Sequence, residues 1–262
     1  MYKIAIDAGH YGNYYNKGVI DGYYESNMTW ELQGYLKEEL ESYGFEVGTT
    51  RVNKAEDLEV SQRGLRSLGY DLFISLHSNA ASSESPDYVA VFHLADDKTT
   101  RADDVSKVLA KKLAPVIAET MHTSDEPKVL DRPVAFDRDG DGQLNDNYYG
   151  VLHGADLANT PGIIIEHSFH TNKKACAWLM NSAHLMMLAK AEAEVIAEFF
   201  GMKKKQEETK EEPKEEDKED PSPKGFYRVV AGSFRDKEKA QKQLEAIQAA
   251  GFSGLFLLYV SE

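Results

Sequence analysis

The sequence has a single cysteine, Cys176, in a chain of 262 residues. One thiol cannot form an intramolecular disulfide, so folding does not require an oxidising compartment. The neighbours of Cys176 are apolar at helical spacing, whereas a reactive thiolate needs an electropositive pocket. We therefore predict that Cys176 is a small core residue and not a catalytic thiol.

The sequence also lacks long apolar runs and any excess of basic residues. No stretch approaches the roughly 20 apolar residues that a membrane-spanning helix needs, so we expect no membrane insertion. The formal net charge is −14 at pH 7, and most of the acidic excess lies in residues 1–200. Because nucleic-acid-binding domains carry a basic face, we expect no nucleic-acid partner.

Residues 1–200 alternate short apolar runs with amphipathic segments, which indicates an α/β fold. The runs IAIDAGH, DLFISLH and GIIIEH are almost continuously apolar up to a polar end, as is typical of strands buried on both faces of a parallel sheet. We predict further strands near residues 45–52 and 87–94. The predicted fold is a twisted, mostly parallel sheet flanked by helices.

Helical periodicity and capping signals predict the elements between these strands. A helix is expected to begin near Glu25 and end at Gly44. Residues 122–147 are predicted to be irregular. The remaining predicted helices cover residues 59–70, residues 103–121 with a kink at Pro115, residues 148–158, and one long helix over roughly 172–200.

Beyond residue 200 the composition changes twice. Residues 201–224 are densely charged and contain Pro213, Pro221 and Pro223, which predicts a disordered linker and argues against a solvated helix. Residues 225–262 have a strand–helix–strand pattern, a small βαβ module. A segment this short is unlike a stable independent domain without a disulfide or metal, so we expect it to dock on a partner or form a homodimer.

Four residues of types that can bind a metal ion or a proton lie at the ends of apolar segments in residues 1–200. His10, His77 and Glu166 follow predicted strands, and Glu25 begins the first helix. In open α/β sheets the ligand crevice lies beyond the carboxyl ends of the strands. Two imidazoles and two carboxylates form the inventory of a catalytic zinc site, with three ligands, one open position and one general base. For any of these residues alone, a polar group satisfied at a strand end would be the simpler interpretation.

The motifs DAGH, the helix at Glu25, SLHSNA and IIIEHSFHTN, in that order, resemble the zinc-dependent N-acetylmuramoyl-L-alanine amidases of the third amidase type. The resemblance covers about residues 1–200. It implies one catalytic Zn²⁺ held by His10, Glu25 and His77, with Glu166 as the catalytic residue. The implied substrate is bacterial peptidoglycan, cleaved between the lactyl group of N-acetylmuramic acid and L-alanine of the stem peptide.

The tail resembles part of a second family. FYRVVAGSF followed by an Ala-rich helix is similar to one βαβ half of a SPOR-type peptidoglycan-binding module, whose complete form carries two halves. We therefore predict three parts: a catalytic domain at 1–200, a linker at 201–224, and a half-module at 225–262 for wall binding or dimerisation. In the catalytic domain, the loop YGNYYNKG is bulkier than is usual in the amidases, and Ser168–Phe169 replaces a common Gly-Phe.

Several nearby polar residues receive secondary predictions. We expect Asp7 to orient the imidazole of His10 and Asn79 to cap the turn after its strand. For His167 and His170 two roles stay open: contact with the substrate or its oxyanion, or lining of the cleft and helix capping. The other histidines are expected at the surface or in the core: His93, His122, His153 and His184.

The acidic run AFDRDGDGQLNDNYYG partly matches a calcium-binding loop. Asp137, Asp139 and Asp141 alternate as EF-hand ligands do, followed by Gly142. However, Tyr148 occupies the twelfth position, where a bidentate acid belongs. We therefore favour an acidic surface insertion over a Ca²⁺ site.

The sequence thus predicts a cell-wall hydrolase. MYKIAID leads directly into a strand, so we expect no signal peptide, synthesis in the cytoplasm, and release to the wall through holin or cell lysis. A bacteriophage endolysin is favoured over an amidase freed by a lysing sporulating mother cell. The alternatives are a non-catalytic peptidoglycan-binding protein with a structural metal, and a zinc carboxypeptidase using Arg63 or Arg132 to bind a terminal carboxylate.

Overall fold

Six strands form one mixed sheet in the order β2-β1-β3-β6-β4-β5. They are seen in a computed structural model that describes residues 1–95, 101–138, 146–204 and 241. The strands are β1 (Lys3–Ala8), β2 (Glu46–Thr49), β3 (Leu72–Asn79), β4 (Ala90–His93), β5 (Lys128–Leu130) and β6 (Gly162–Phe169).

The pairing confirms the predicted sheet and adds one exception to it. β1 pairs in parallel with β2 and β3, β3 with β6, and β4 with β5, whereas β4 runs antiparallel to β6. β5 lies in the region that was predicted to be irregular. That prediction is wrong for this segment, because a three-residue edge strand is too short to show an apolar alternation in sequence.

Helices cover both faces of the sheet. The helices are α1 (Glu25–Ser42), α2 (Val60–Leu65), α3 (Arg101–Met121), α4 (Gly150–Leu157), α5 (Lys173–Leu179) and α6 (Ser182–Phe199). α1, α3 and α6 pack against one face in a core with the isoleucines and leucines of β1, β3 and β6. α4 covers part of the other face, against Phe73, Phe92 and Ile164.

The predicted single helix over 172–200 is wrong. The chain forms α5 and then α6, because Asn181 begins a new helix by accepting a hydrogen bond from Ala183 N at 2.9 Å. Pro115 lies inside α3, which continues to Met121. Cys176 is fully buried, as predicted for a core residue.

Glycines allow α2 and α4 to cross at backbone contact. A Cβ on Gly64 would lie 2.1 Å from Val151 O, and one on Gly154 would lie 2.0 Å from Ser61 O. Only hydrogen fits at these positions. The close crossing places Val60 of α2 and Gly150 of α4 at the same pocket on this face of the sheet.

Most of the predicted linker and C-terminal module lie outside the described residues, which include only positions 201–204 and 241 of that region. Among the helices of the described ranges, none is both long and apolar enough to cross a membrane.

Candidate metal centre

The fold brings all four predicted site residues to one pocket of about 290 Å³. β3 and β6 are in register so that His77 lies opposite Glu166. His10 follows β1, and Glu25 begins α1. His10, Glu25 and His77 each offer one ligand atom, and these atoms lie within 4.8 Å of one another. The three form a candidate metal site, and Glu166 lines the pocket beside it.

Glu25 is the centre of this cluster. Its Oε2 lies 3.0 Å from His10 Nε2, and its Oε1 lies 3.0 Å from His77 Nδ1. Ser78 N donates to Oε1 and Asn16 Nδ2 donates to Oε2, each at 2.9 Å. Glu25 is only 1% exposed, so these four contacts fix the orientation of its carboxylate.

The proton distribution of the cluster follows from these contacts. Burial raises the pKa of Glu25, but hydrogen bonds to His10 and His77 outweigh it and hold this pKa well below its usual range. Burial lowers the pKa of His77, yet the hydrogen bond and charge of Glu25 raise it to about 9. At neutral pH the cluster therefore holds an anionic Glu25 and a proton on His77 that a metal cation would replace.

The donor set fits a divalent cation such as zinc. Two imidazoles and one carboxylate are a known ligand set of catalytic zinc, which uses three protein ligands and keeps a fourth position open. Tetrahedral ligands about 2.0–2.1 Å from zinc lie roughly 3.3 Å from one another. The two contacts of Glu25 are near that spacing at 3.0 Å, and all three ligand atoms lie within 4.8 Å of one another, so one cation could contact all three once the side chains draw together.

Glu166 differs from Glu25 in having no partner for one oxygen. Its Oε2 is buried and accepts no hydrogen bond from the described part of the chain. Burial raises the pKa of Glu166 to about 7, with the positive charge of His77 opposing and the negative charge of Glu25 adding to the shift. A carboxyl group with a pKa near neutrality can both accept and return a proton.

A buried arginine supports the main chain at His10. Arg63 donates to His10 O at 2.9 Å and to Ala8 O at 3.1 Å. His10 has φ +62, a left-handed conformation that is unusual for a residue with a side chain. The guanidinium holds this strained residue in place, which is typical of functional sites.

The prediction that Asp7 orients the His10 imidazole is wrong. The Asp7 carboxylate accepts hydrogen bonds from Ser75 Oγ at 2.8 Å and from Thr50 Oγ1, and it lies 3.4 Å from Arg63 Nη1. Asp7 therefore holds Arg63, and Arg63 holds the His10 carbonyl. Because Arg63 is buried and engaged in this way, it is not available to a substrate carboxylate.

The two histidines after Glu166 have different surroundings. His167 is fully buried, with Nδ1 2.8 Å from His77 O and Nε2 2.6 Å from Glu192 Oε1. It supports the backbone of β3 and does not line the cleft. His170 does line the pocket, and its Nδ1 lies 2.9 Å from Ser78 Oγ.

The remaining predictions concern residues at the margin of the site. Asn79 Oδ1 accepts from Ala80 N at 2.8 Å, as a turn-capping residue would, and Asn79 also lines the pocket. His93 and His153 are buried, His122 is exposed and His184 is half-buried. Asp139 and Asp141 lie outside the described residues, so the calcium prediction is not tested.

The sequence alone did not point to Asn16 and Ser78, which donate to Glu25, or to Glu192, which pairs with His167. Asn16 lies in the tyrosine-rich loop with φ +52, a conformation that asparagine tolerates. In the sequence, only its being an asparagine in this loop could have indicated a left-handed backbone conformation there. The same loop stacks Tyr15 on the His10 ring, with 5.3 Å between ring centroids.

Comparison with known proteins identifies the family. The model described as N-acetylmuramoyl-L-alanine amidase matches residues 4–198, most of the chain. The chain belongs to this amidase family. Its substrate is peptidoglycan, in which such amidases hydrolyse the amide between N-acetylmuramic acid and L-alanine. A second model, the SPOR domain, matches residues 204–257 and thus covers most of the predicted linker and most of the predicted half-module.

Solved amidase structures share the fold. The catalytic domain of CwlV from Bacillus (Paenibacillus) polymyxa var. colistinus is 20% identical, with TM-score 0.62 over 78% of this chain and all of that one. An amidase from Clostridium difficile 630 gives 20% identity and TM-score 0.62 over 76% of this chain and 97% of that one. Ami1 from Mycobacterium smegmatis gives 20% identity and TM-score 0.57 with the same coverage. No curated protein matches the sequence.

Proposed function

We propose that this amidase is zinc-dependent, with His10, Glu25 and His77 as metal ligands and Glu166 as the general base. The observation that carries the proposal is the unpaired, buried Oε2 of Glu166 beside a cluster of three ligand atoms. A carboxylate kept without a partner in a pocket is costly to the fold, so a functional role explains its position.

Each residue has a distinct task in the hydrolysis. Zinc, when bound, supplies Lewis-acid activation of water and of the scissile carbonyl. Glu166 accepts the proton of the attacking water and returns it to the departing nitrogen of L-alanine. Arg63 and Asn16 keep His10 and Glu25 in position through the hydrogen bonds described above.

The geometry favours catalysis over a purely structural metal. A structural zinc site has four protein ligands, whereas the cluster found in the described ranges has three, His10, Glu25 and His77. The three residues share their pocket with Glu166, so a metal held there would have room for a water molecule beside the proposed base.

Digestion of purified peptidoglycan tests the proposal. Zinc-loaded wild type should release new N-terminal alanine, identified by mass spectrometry, and a chelator should abolish the release until zinc is restored. Glu166→Gln should retain zinc but lose activity, while Glu84→Gln, an exposed control, should match wild type. Chelator-resistant release, or full activity in Glu166→Gln, would refute the zinc mechanism. Released C-terminal amino acids would instead indicate a carboxypeptidase.

The biological setting is a further proposal. We infer that the C-terminal module tethers the amidase to the wall and raises its local concentration there, which suits an endolysin or a mother-cell amidase. Comparing full chain with residues 1–204 on walls, and measuring the mass of the full chain in solution, tests tethering and the homodimer. Equal wall binding by both forms would exclude tethering, and a monomeric mass would exclude the dimer.

A further inference from the structure

Arg132 is an exposed cation held in place by aromatic rings. Its guanidinium carbon lies 3.8 Å from the ring centroid of Tyr148 and 5.7 Å from that of Tyr149. Its Nη1 lies 3.5 Å from Tyr149 Oη, and its carbonyl accepts from Tyr148 N at 2.9 Å. Across the described ranges Arg132 pairs with no carboxylate, unlike Arg63 and Arg66. A positioned guanidinium with no anionic partner is suited to bind one from a ligand.

Tyr149 connects Arg132 to the metal centre. It lines the same pocket as Glu166 and stands at the N-cap of α4. Burial raises the pKa of Tyr149, the hydrogen bond with Arg132 opposes that rise, and the charge of Glu166 adds to it. The hydroxyl of Tyr149 is therefore influenced both by Arg132 at the edge of the pocket and by Glu166, the proposed base.

The start of α4 adds a second positive element at this wall. Gly150 and Val151 line the pocket, and Tyr149 forms no side-chain cap. The first N–H groups of a helix have no partner within the helix and carry the positive end of its dipole. The rest of the pocket contains Glu25 and Glu166, and the protein carries a net charge of −14. One wall of an acidic site is therefore built to attract an anion.

The position of Glu166 decides which part of the substrate meets this wall. If Glu166 returns the proton to the departing nitrogen of L-alanine, that nitrogen lies beside Glu166, and the rest of the stem peptide continues on the Glu166 side of the pocket. The pocket wall formed by Tyr149, Gly150 and Val151 is then on the peptide side, whereas His10 and its tyrosine-rich loop are on the opposite side of the ligand cluster, at the end of β1.

We propose that Arg132, together with the N-terminus of α4, binds the α-carboxylate of the second residue of the stem peptide, one residue beyond the scissile amide, and thereby selects acidic peptides over amidated ones. This inference rests on the proposed function, because Glu166 sets the direction of the peptide. Arg132 touches substrate in this proposal but takes no part in proton transfer.

Two substrates that differ in one group test the selection. N-acetylmuramoyl-L-alanyl-D-glutamate carries a free α-carboxylate on its second residue, and N-acetylmuramoyl-L-alanyl-D-isoglutamine carries a neutral amide there. Zinc-loaded wild type should have about 10- to 100-fold higher kcat/KM for the acid, the range expected of a charge-assisted hydrogen bond. Arg132→Gln should lose that preference by slowing only the acid, and Arg132→Lys should retain part of it.

Lys128→Gln is the matched control. Lys128 is another cation held over a tyrosine ring, 3.8 Å from the centroid of Tyr88, but Tyr88 does not line the pocket, whereas Tyr149 beside Arg132 does. Lys128→Gln should leave the preference unchanged. Equal cleavage of both substrates by wild type, or an equal loss on both in Arg132→Gln, would overturn the proposal while the amidase function stands.

Calorimetric binding of the dipeptides L-alanyl-D-glutamate and L-alanyl-D-isoglutamine separates the two proposals, since it needs no turnover. Tighter, Arg132-dependent binding of the acidic dipeptide supports the subsite even if neither muramoyl substrate is cleaved, an outcome that would reject the catalytic proposal alone. Equal binding of the two dipeptides in wild type would reject the subsite.

Discussion

Gly9 lies directly against the imidazole of His77. A Cβ at Gly9 would approach His77 Cε1 to 2.4 Å, His77 Nδ1 to 2.6 Å and Leu76 O to 2.6 Å. Gly9 N also donates to Leu76 O at 3.0 Å, which joins the end of β1 to β3. The DAGH motif therefore requires glycine at position 9, because the imidazole of His77, one proposed metal ligand, packs against it. Gly9 immediately precedes His10, a second proposed ligand.

Gly9→Ala should weaken metal binding while the fold persists. The methyl group would displace the His77 ring, and ligand displacement typically costs 10- to 100-fold in affinity or activity, as loss of an orienting partner does. Zinc affinity measured by competition with a chromogenic chelator checks this. Gly34→Ala is the control, because a Cβ there meets nothing within 4 Å and should slightly stabilise α1. Unchanged zinc affinity in Gly9→Ala would contradict the packing argument.

The two glutamates should separate metal binding from catalysis. Glu25→Gln removes the anion that bridges His10 and His77, so we expect loss of both zinc and activity. Glu166→Gln should keep a full equivalent of zinc and lose activity by about 10²- to 10⁴-fold, the usual contribution of a general base. Metal content by mass spectrometry and alanine release by the same samples distinguish the two. Loss of zinc in Glu166→Gln would instead make Glu166 a fourth ligand.

Zinc binding should be linked to release of a proton from His77. The pKa of His77 is raised to about 9 in the metal-free protein, so below that pH the metal must displace a proton. The apparent affinity should then rise about tenfold per pH unit between pH 7 and 9 and level off above this range. Calorimetry in buffers of different ionisation enthalpy measures the proton directly. A pH-independent affinity would show that His77 is already neutral.

Glu166 should destabilise the metal-free protein at alkaline pH. Its folded-state pKa is raised to about 7, above the ordinary value, so the folded state retains this proton longer than the unfolded state. Stability is therefore lost as pH rises from about 4.5 through 7. Metal-free Glu166→Gln should melt at a higher temperature than wild type at pH 8, and the difference should vanish near pH 4. The reverse order at pH 8 would contradict the assignment.

The buried pair His167–Glu192 should be needed for stability as a unit. Glu192 Oε1 lies 2.6 Å from His167 Nε2, and both side chains are fully buried. Glu192→Ala leaves a polar imidazole without its partner, so we expect a loss of about 3–5 kcal/mol in the free energy of unfolding. Replacing both residues by leucine should cost less than Glu192→Ala alone. Urea denaturation compares the two variants, and a double replacement that costs more than Glu192→Ala would contradict the coupling.

The sequence by itself determined the strands that carry the site. The apolar runs that end in His10, His77 and Glu166 are short and bounded by turn residues, which favours buried strands over helices, and parallel strands in one sheet bring such ends together. The helix at Glu25 was equally clear from its periodicity. These local patterns suffice because burial on both faces leaves a continuous apolar signal.

Only the tertiary structure decided which partners hold the site residues. Asp7 is close in sequence to His10 but contacts Arg63, Thr50 and Ser75, and the His77 backbone is held by His167 and, through it, by Glu192 of α6. The break between α5 and α6, the antiparallel β4 and the Gly64–Gly154 crossing also depend on distant contacts. Periodicity reports which face of an element is buried, but it does not report what covers that face.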